Sequence, residues 1–255
     1  MSVEDQWALM RGGDVERGLT LMQESFDGTP NPSTLVTLGL GYLWAEKYEA
    51  ARIHFQDWMH RYGVTADAYF ALVGVAQWCL DDVIAASESW KLGLGAQYVD
   101  MAGGIESPIL LWVASVLRPN DTLRREAAQI LEKRVRDPKV RHWPGPLAQF
   151  VLGQIDERTL DERSIERLSR GISPRRKWHL AFYRHVLALE RGGLSLNDFQ
   201  MEMRKLVDTS TSEWSDEENV LQLVRNPEFY IARHEASVGS SLRTTLLRNG
   251  LRGDP

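Results

Sequence analysis

The chain has 255 residues, of which 43% are hydrophobic and 25% charged, and its formal net charge is −5. This composition excludes disordered, collagen-like and disulfide-scaffold proteins and is enough for a substantial core. The single cysteine, Cys79, excludes an internal disulfide and a cysteine-based metal site. The N-terminus is acidic and has no apolar signal-peptide region, and apolar runs such as residues 109–114 are too short to span a bilayer. We therefore expect a cytoplasmic protein with no membrane partner.

Apolar residues recur at helical spacing through nearly the whole chain, and no stretch alternates long enough to predict a strand. Several prolines follow a residue that can cap a helix N-terminus, at Asn31-Pro32, Ser107-Pro108, Ser173-Pro174 and Asn226-Pro227. Glycines at positions 12–13, 63, 103–104 and 192–193 fall where helices should stop. The sequence therefore predicts an all-α protein built from short helices and short loops.

A spacing of small and aromatic residues recurs in the N-terminal part of the chain. The set Gly39, Ala51 and Phe55 returns 35 residues later as Gly74, Ala86 and Trp90. Small residues let the two helices of a hairpin approach closely, and an aromatic side chain fills the wedge between them. The pattern predicts stacked helical hairpins.

Leu38-Gly39-x-x-Tyr42, followed by Ala51 and Phe55, resembles the tetratricopeptide repeat (TPR) over roughly residues 14–95. Residues 143–153 resemble the degenerate later units of some bacterial TPR proteins. The resemblance implies an all-α, right-handed superhelix, an α-α solenoid of TPR-like hairpins whose later hairpins are degenerate. We divide the chain into TPR-like hairpins at 1–137, degenerate hairpins at 138–235, and a partly disordered or loosely docked tail at 236–255.

The resemblance also implies that the first helix of each hairpin lines a concave, ligand-binding groove. The positions that correspond to ligand contacts are mostly apolar and include Val36, Leu40, Leu43, Trp44, Val75 and Trp78. Two interpretations follow. Either the protein fills the groove itself, with residues 226–231 as a candidate segment, or a partner inserts an apolar helix or hairpin anchored on Trp44 and Trp78.

Charge is distributed unevenly along the chain. Residues 1–117 carry a net charge of −9 and residues 118–255 a net charge of +4. The nearly unopposed cluster Arg170, Arg175, Arg176 and Lys177 is interpreted either as a solvated helix face or as a patch for a charged protein, so Arg175 and Arg176 are further candidate protein-binding residues. The acidic balance argues against nucleic-acid binding, and RNA binding through residues 170–178 is a third alternative.

Motifs that carry chemistry are not found in the sequence. His54 and His60, like His179 and His185, are six positions apart, whereas two ligands on one helix face need a spacing of three or four. Phosphate-binding loops and nucleophile elbows are missing as well. We therefore predict no catalytic residue, metal or cofactor. An enzyme with an unrecognised helical site is the alternative, for which the candidates are Glu106, His142 and His179.

The sequence as a whole predicts a non-enzymatic protein that binds one protein partner. Within that class we favour a dedicated inhibitor, such as an immunity protein that neutralises a bacterial toxin, because the chain carries no catalytic or targeting module. A TPR scaffold or co-chaperone with several clients is the alternative.

Overall fold

The computed structural model describes residues 2–63, 65–99, 103–165, 174–213 and 225–250, and within these ranges the chain is all-helical, without strands. The helices are α1 (Val3–Arg11), α2 (Val15–Gly28), α3 (Pro32–Trp44), α4 (Tyr48–Tyr62), α5 (Asp67–Cys79), α6 (Val83–Gly93), α7 (Glu106–Leu117), α8 (Asp121–Arg134), α9 (Gly145–Val151), α10 (Glu157–Ile165), α11 (Pro174–Glu190), α12 (Leu196–Glu213) and α13 (Pro227–Gly250). A short 3-10 helix, Pro138–Arg141, lies between α8 and α9. The predicted fold class is thus confirmed at the level of an all-α protein.

The four helix starts predicted from a capping residue before a proline have different outcomes in the structure. Asn31 caps α3 as predicted, since its side chain accepts hydrogen bonds from the backbone N–H groups of Ser33 and Thr34 at 2.8 and 3.1 Å. Ser107 is not a cap, because α7 begins one residue earlier and places it inside the first turn. Asn226 precedes α13, but neither atom of its buried side-chain amide has a hydrogen-bond partner. Ser173 lies outside the described residues.

The glycines of the repeat pattern lie at helix contacts too close for any side chain. A Cβ atom on Gly39 of α3 would lie 2.1 Å from the ring of Phe55 in α4. One on Gly74 of α5 would lie 2.3 Å from the indole nitrogen of Trp90 in α6. The two hairpins α3–α4 and α5–α6 therefore pair glycine with an aromatic ring in the same way, which explains the 35-residue spacing.

Most helices pack against their neighbours in sequence, and the principal exceptions involve α7, α11 and α13. From α1 to α8 each helix contacts the next, as in stacked hairpins. α7 also contacts α5 and α11, and every residue from 107 to 117 is buried. α13 contacts α12 and returns to pack against α5. The last helix of the chain therefore lies against the N-terminal hairpins.

The division of the chain at residues 137 and 235 stays a prediction. Next to the first boundary lies the 3-10 helix, which is followed by a cis peptide bond between Trp143 and Pro144. At the second boundary, α13 runs through residue 236 to Gly250. The expected tail therefore begins within a helix whose first turns are packed in the core.

Candidate functional site

The apolar faces of α3 and α5 in the N-terminal hairpins are covered by the C-terminal helix α13. The rings of Phe229 in α13 and Trp44 in α3 stack at a centroid distance of 6.0 Å with an interplanar angle of 11°. The thiol of Cys79 lies 3.7 Å from the backbone oxygen of Tyr230. Phe229, Tyr230 and Ile231 are all buried. Of the two interpretations of the groove, the structure favours the first, in which residues 226–231 fill it.

An ion pair between the buried Glu235 and the partly exposed Arg118 fixes α13 at the end of this contact. The carboxylate of Glu235, only 1% exposed, forms two contacts with Arg118, at 2.9 and 3.1 Å. It also accepts a hydrogen bond of 3.2 Å from the indole N–H of Trp78. The Arg118 guanidinium in turn lies 4.9 Å from the centre of the Trp78 ring. The desolvated carboxylate thus has three donors, which is what burial of a charge requires.

Two further residues, Arg233 and His234, set the register of α13 through polar contacts. Arg233 donates to the backbone oxygen of Trp44 at 2.8 Å, lies over the Trp44 ring, and pairs with Glu46. His234 Nε2 lies 3.1 Å from Asp81 Oδ1. These contacts join the C-terminal helix to the ends of α3 and α5.

The predicted protein-binding residues divide into a covered and an accessible group. Leu40, Leu43, Val75 and Trp78 are buried inside the chain, with at most 2% of their surface exposed. Val36, Trp44, Arg175 and Arg176 are partly exposed. Arg176 donates to the backbone oxygen of Ser164 at 2.7 Å. Whether any of these residues binds a protein stays a prediction, but the buried four do not present an open groove.

A cavity of about 350 Å³ lies where α13 begins. Its apolar walls come from α3, α5 and the turn before α9, with Val36, Leu40, Leu72 and Trp143 among the lining residues. Its charged lining residues are Glu106 of α7, Arg175 of α11, and Arg225 just before α13. Three predicted residues, Val36, Leu40 and Arg175, therefore line the same cavity, next to the first residue of the C-terminal helix.

A buried polar cluster holds the Trp143 wall of this cavity. The indole N–H of Trp143 donates to His179 Nδ1 at 3.1 Å, and the two rings are nearly parallel. Because Nδ1 accepts this bond, the proton of a neutral His179 lies on Nε2, which is 3.5 Å from Glu228. The Tyr183 hydroxyl donates to the same carboxylate at 2.6 Å.

The pKa values of this cluster favour a neutral histidine beside an ionised glutamate. Burial lowers the pKa of His179, although Glu228 acts in the opposite direction. Burial alone would raise the pKa of Glu228, but His179, Tyr183 and the backbone hydrogen bond lower it. Burial and the adjacent carboxylate raise the pKa of Tyr183, so its hydroxyl stays a donor.

The three enzyme candidates are not brought together as a catalytic group. Glu106 lines the cavity, whereas His179 is fully buried and hydrogen-bonded to Trp143. His142 is partly exposed and is not among the residues that line the cavity. In the described ranges, no three or more His, Cys, Asp and Glu side chains are grouped as metal ligands. The same part of the chain holds no helix with the length and apolar character needed to span a membrane.

Sequence reasoning missed the residues that attach α13 and the second arginine of the cavity. In the sequence, Glu228, Arg233 and Glu235 are simply charged residues next to the apolar run 229–232. No local pattern marks them as the residues that attach the helix. Arg225 directly precedes the Asn226-Pro227 helix start, but nothing in the sequence places it beside Arg175. Comparison of the chain with protein families, curated proteins and solved structures found no match.

The His179 cluster predicts that stability falls on mild acidification. The folded-state pKa of His179 is below its ordinary value of 6.5, so the unfolded chain binds more protons as the pH drops below about 6.5. The stabilisation is present above that pH and is lost toward the folded-state pKa; Glu228 adds a further loss below its ordinary value of 4.5. We expect the free energy of unfolding to fall by about 1 kcal/mol between pH 7.5 and 5.5.

Urea unfolding at several pH values measures this dependence. His179→Gln should flatten the profile between pH 7 and 5.5, although His54, whose pKa burial also lowers, leaves a residual slope. His60→Gln, a change at an exposed position, serves as the control. Equal slopes for wild type and His179→Gln would contradict the prediction.

Proposed function

We propose that this chain is a non-enzymatic, cytoplasmic protein that binds one protein partner through its outer surface. The proposal includes the right-handed, TPR-like solenoid for the hairpins and a dedicated inhibitor role, as in an immunity protein against a bacterial toxin. The observation that carries it is the apolar surface of α6. Ile84 is 80% and Leu92 63% exposed, and Leu80 just before the helix is 43% exposed.

Ile84 and Leu92 are eight positions apart, which places them about 80° apart around the helix axis and within one broad apolar stripe. Ile84 also lines a groove of about 580 Å³ between α6 and α8, together with Ala114, Leu123 and charged side chains such as Lys91 and Glu126. Large exposed apolar side chains on a monomer are typical of interaction surfaces when they lie close together. We assign the Ile84/Leu92 surface and this groove to the partner, because α13 covers the apolar faces of α3 and α5.

The groove lining is itself balanced in charge, with Glu88 and Glu126 against Lys91 and Arg118, so the partner's charge is proposed from the N-terminal half of the chain as a whole. Residues 1–117 have a net charge of −9, and acidic side chains such as Glu16, Glu49 and Asp81 are more than half exposed. Such a field attracts a basic partner and speeds its association. We therefore propose a partner whose surface is basic and carries an apolar side chain for the groove between α6 and α8.

The test is capture of a partner by the tagged full-length chain in the native cell extract, with washes at moderate and then high salt. A dedicated inhibitor should retain one stoichiometric protein, whose affinity is then measured with purified components. Ile84→Asp combined with Leu92→Asp should weaken that binding at least about tenfold. Several salt-labile clients would instead support the scaffold alternative.

Leu196→Asp is the matched control, because Leu196 is a comparably exposed leucine at the start of α12, outside the groove. Circular dichroism establishes that each variant remains folded. Binding that survives the Ile84/Leu92 double change, or that is lost equally in Leu196→Asp, would contradict the assignment of this surface. A purified chain that binds no protein at micromolar concentration would contradict the function itself.

A further inference from the structure

The cavity at the start of α13 has the size and lining of a small-molecule site. Its volume of about 350 Å³ is within the usual range for ligand pockets and would hold about twelve water-sized groups of about 30 Å³ each. The side chains of Val36, Leu40 and Leu72 make part of it apolar, and Trp143 supplies an aromatic wall. An apolar recess with a few charged groups is the arrangement that selects amphipathic ligands.

Within the described residues, the two cavity arginines are not paired with an acidic side chain. Neither Arg175 nor Arg225 makes a hydrogen bond or ion pair with another residue there. The Nε–H of Arg175 is buried and lacks an acceptor. The side chains of Arg175 and Arg225 both line the cavity, and a guanidinium group is a preferred partner of oxygen anions.

The described lining residues favour an anionic ligand. They include two guanidinium groups and one carboxylate, that of Glu106. A carboxylate matches the planar fork of a guanidinium and carries a single charge. A phosphate dianion would bring a second negative charge close to Glu106.

The cavity wall is preorganised for such a ligand. Trp143 is held by its hydrogen bond to His179 and by the Arg176 guanidinium, which lies 5.3 Å from the centre of its ring. His179 contacts Glu228 at the start of α13, and Pro227 lines the cavity itself. The same helix start thus closes the inner surface and shapes the cavity, so little ordering remains for a ligand to bring about.

We propose that this cavity binds a small amphipathic monocarboxylate, with its carboxylate at Arg175 and Arg225 and its apolar body against Val36, Leu72 and Trp143. The site is separate from the outer groove between α6 and α8. Binding of such a ligand and binding of a protein partner are therefore independent properties that can be tested one without the other.

Isothermal titration of the full-length chain with octanoate tests the proposal, with octanamide as the uncharged probe of the same length. We expect octanoate to bind at least tenfold more tightly than octanamide. Arg175→Gln should remove most of this preference, Arg175→Lys should keep part of it, and Arg191→Gln, at an exposed arginine at the end of α11, should leave it unchanged. Quenching of tryptophan fluorescence by octanoate should be smaller in Trp143→Phe than in wild type.

Arg225→Gln keeps the test decisive if Arg175→Gln does not fold, because Arg225 is exposed and precedes the helix. Loss of octanoate affinity in either folded variant, with octanamide unaffected, supports the proposal. Equal affinity for the two probes, no binding at millimolar concentration, or wild-type affinity in both Arg175→Gln and Arg225→Gln would overturn it. The partner-capture experiment does not use variants of these residues. Its outcome therefore does not depend on whether the cavity binds a monocarboxylate.

Discussion

Arg118→Ala is expected to lower the free energy of unfolding by about 3 kcal/mol, because it leaves a buried carboxylate without its cation. Glu235 is 1% exposed, and Trp78 would remain as the donor among its present partners. Arg118 itself is about one-third exposed, so water can solvate it when Glu235 is removed instead. We therefore expect the two substitutions to have unequal effects on the free energy of unfolding, with a smaller loss in Glu235→Gln than in Arg118→Ala.

Urea unfolding of both single variants and of the double variant Arg118→Met/Glu235→Met measures the effect. The double variant removes both charges and should recover much of the stability lost in Arg118→Ala. Hydrogen exchange in α13 should rise in Arg118→Ala before the rest of the chain unfolds, because the pair attaches this helix. A loss below about 1 kcal/mol in Arg118→Ala would show that Glu235 is solvated and that the contact does not fix α13.

Gly39→Ala is expected to destabilise the chain by about 2–3 kcal/mol, despite the higher helix propensity of alanine. The added methyl group would lie 2.1 Å from the ring of Phe55, which is fully buried in the α3–α4 hairpin and cannot rotate away from α3 without disturbing its neighbours. The hairpin must therefore open or the ring must leave its packing position. Thermal unfolding followed by circular dichroism measures the change.

Gly28→Ala is the matched control, since the last residue of α2 has open space where its Cβ would lie. It should be neutral or slightly stabilising, by a few tenths of a kcal/mol. The combined variant Gly39→Ala/Phe55→Leu should regain part of the stability lost in Gly39→Ala, because the smaller side chain makes room for the methyl group. A neutral Gly39→Ala would mean that the close approach of α3 and α4 is not needed.

The all-α architecture and the glycine–aromatic pairs could be predicted because they depend on residues close in sequence. Helical periodicity reports on one element, and the pairing of Gly39 with Phe55 joins neighbouring helices. Helix starts were less predictable. The cap expected at Ser107 is not formed, because the first residue of α7 depends on how that helix enters the core. The path of α13 could be suggested from its apolar residues, but its partners lie more than 150 positions away.

The candidate site was hard to predict from the sequence for the same reason, since its residues come from distant parts of the chain. Val36, Leu40 and Arg175 were each singled out from local patterns, yet nothing local indicates that α3 and α11 line the same cavity. The apolar residues of α3, α5 and α7 are compatible with either an open groove or a covered one, because composition does not reveal which surface lies against them. Arg225 and Glu235 carry no motif, and their importance comes from the burial that tertiary packing imposes.

The return of α13 to the N-terminal hairpins has a consequence for biosynthesis. Its contacts to Trp78 and Cys79 join residues 157 and 151 positions apart. At translation rates of about 5–20 residues per second, α5 is synthesised about 8–30 seconds before the helix that covers it. During that interval the apolar face of the first hairpins has not yet received its cover. We therefore expect the nascent protein to be a substrate for chaperones until α13 has been made.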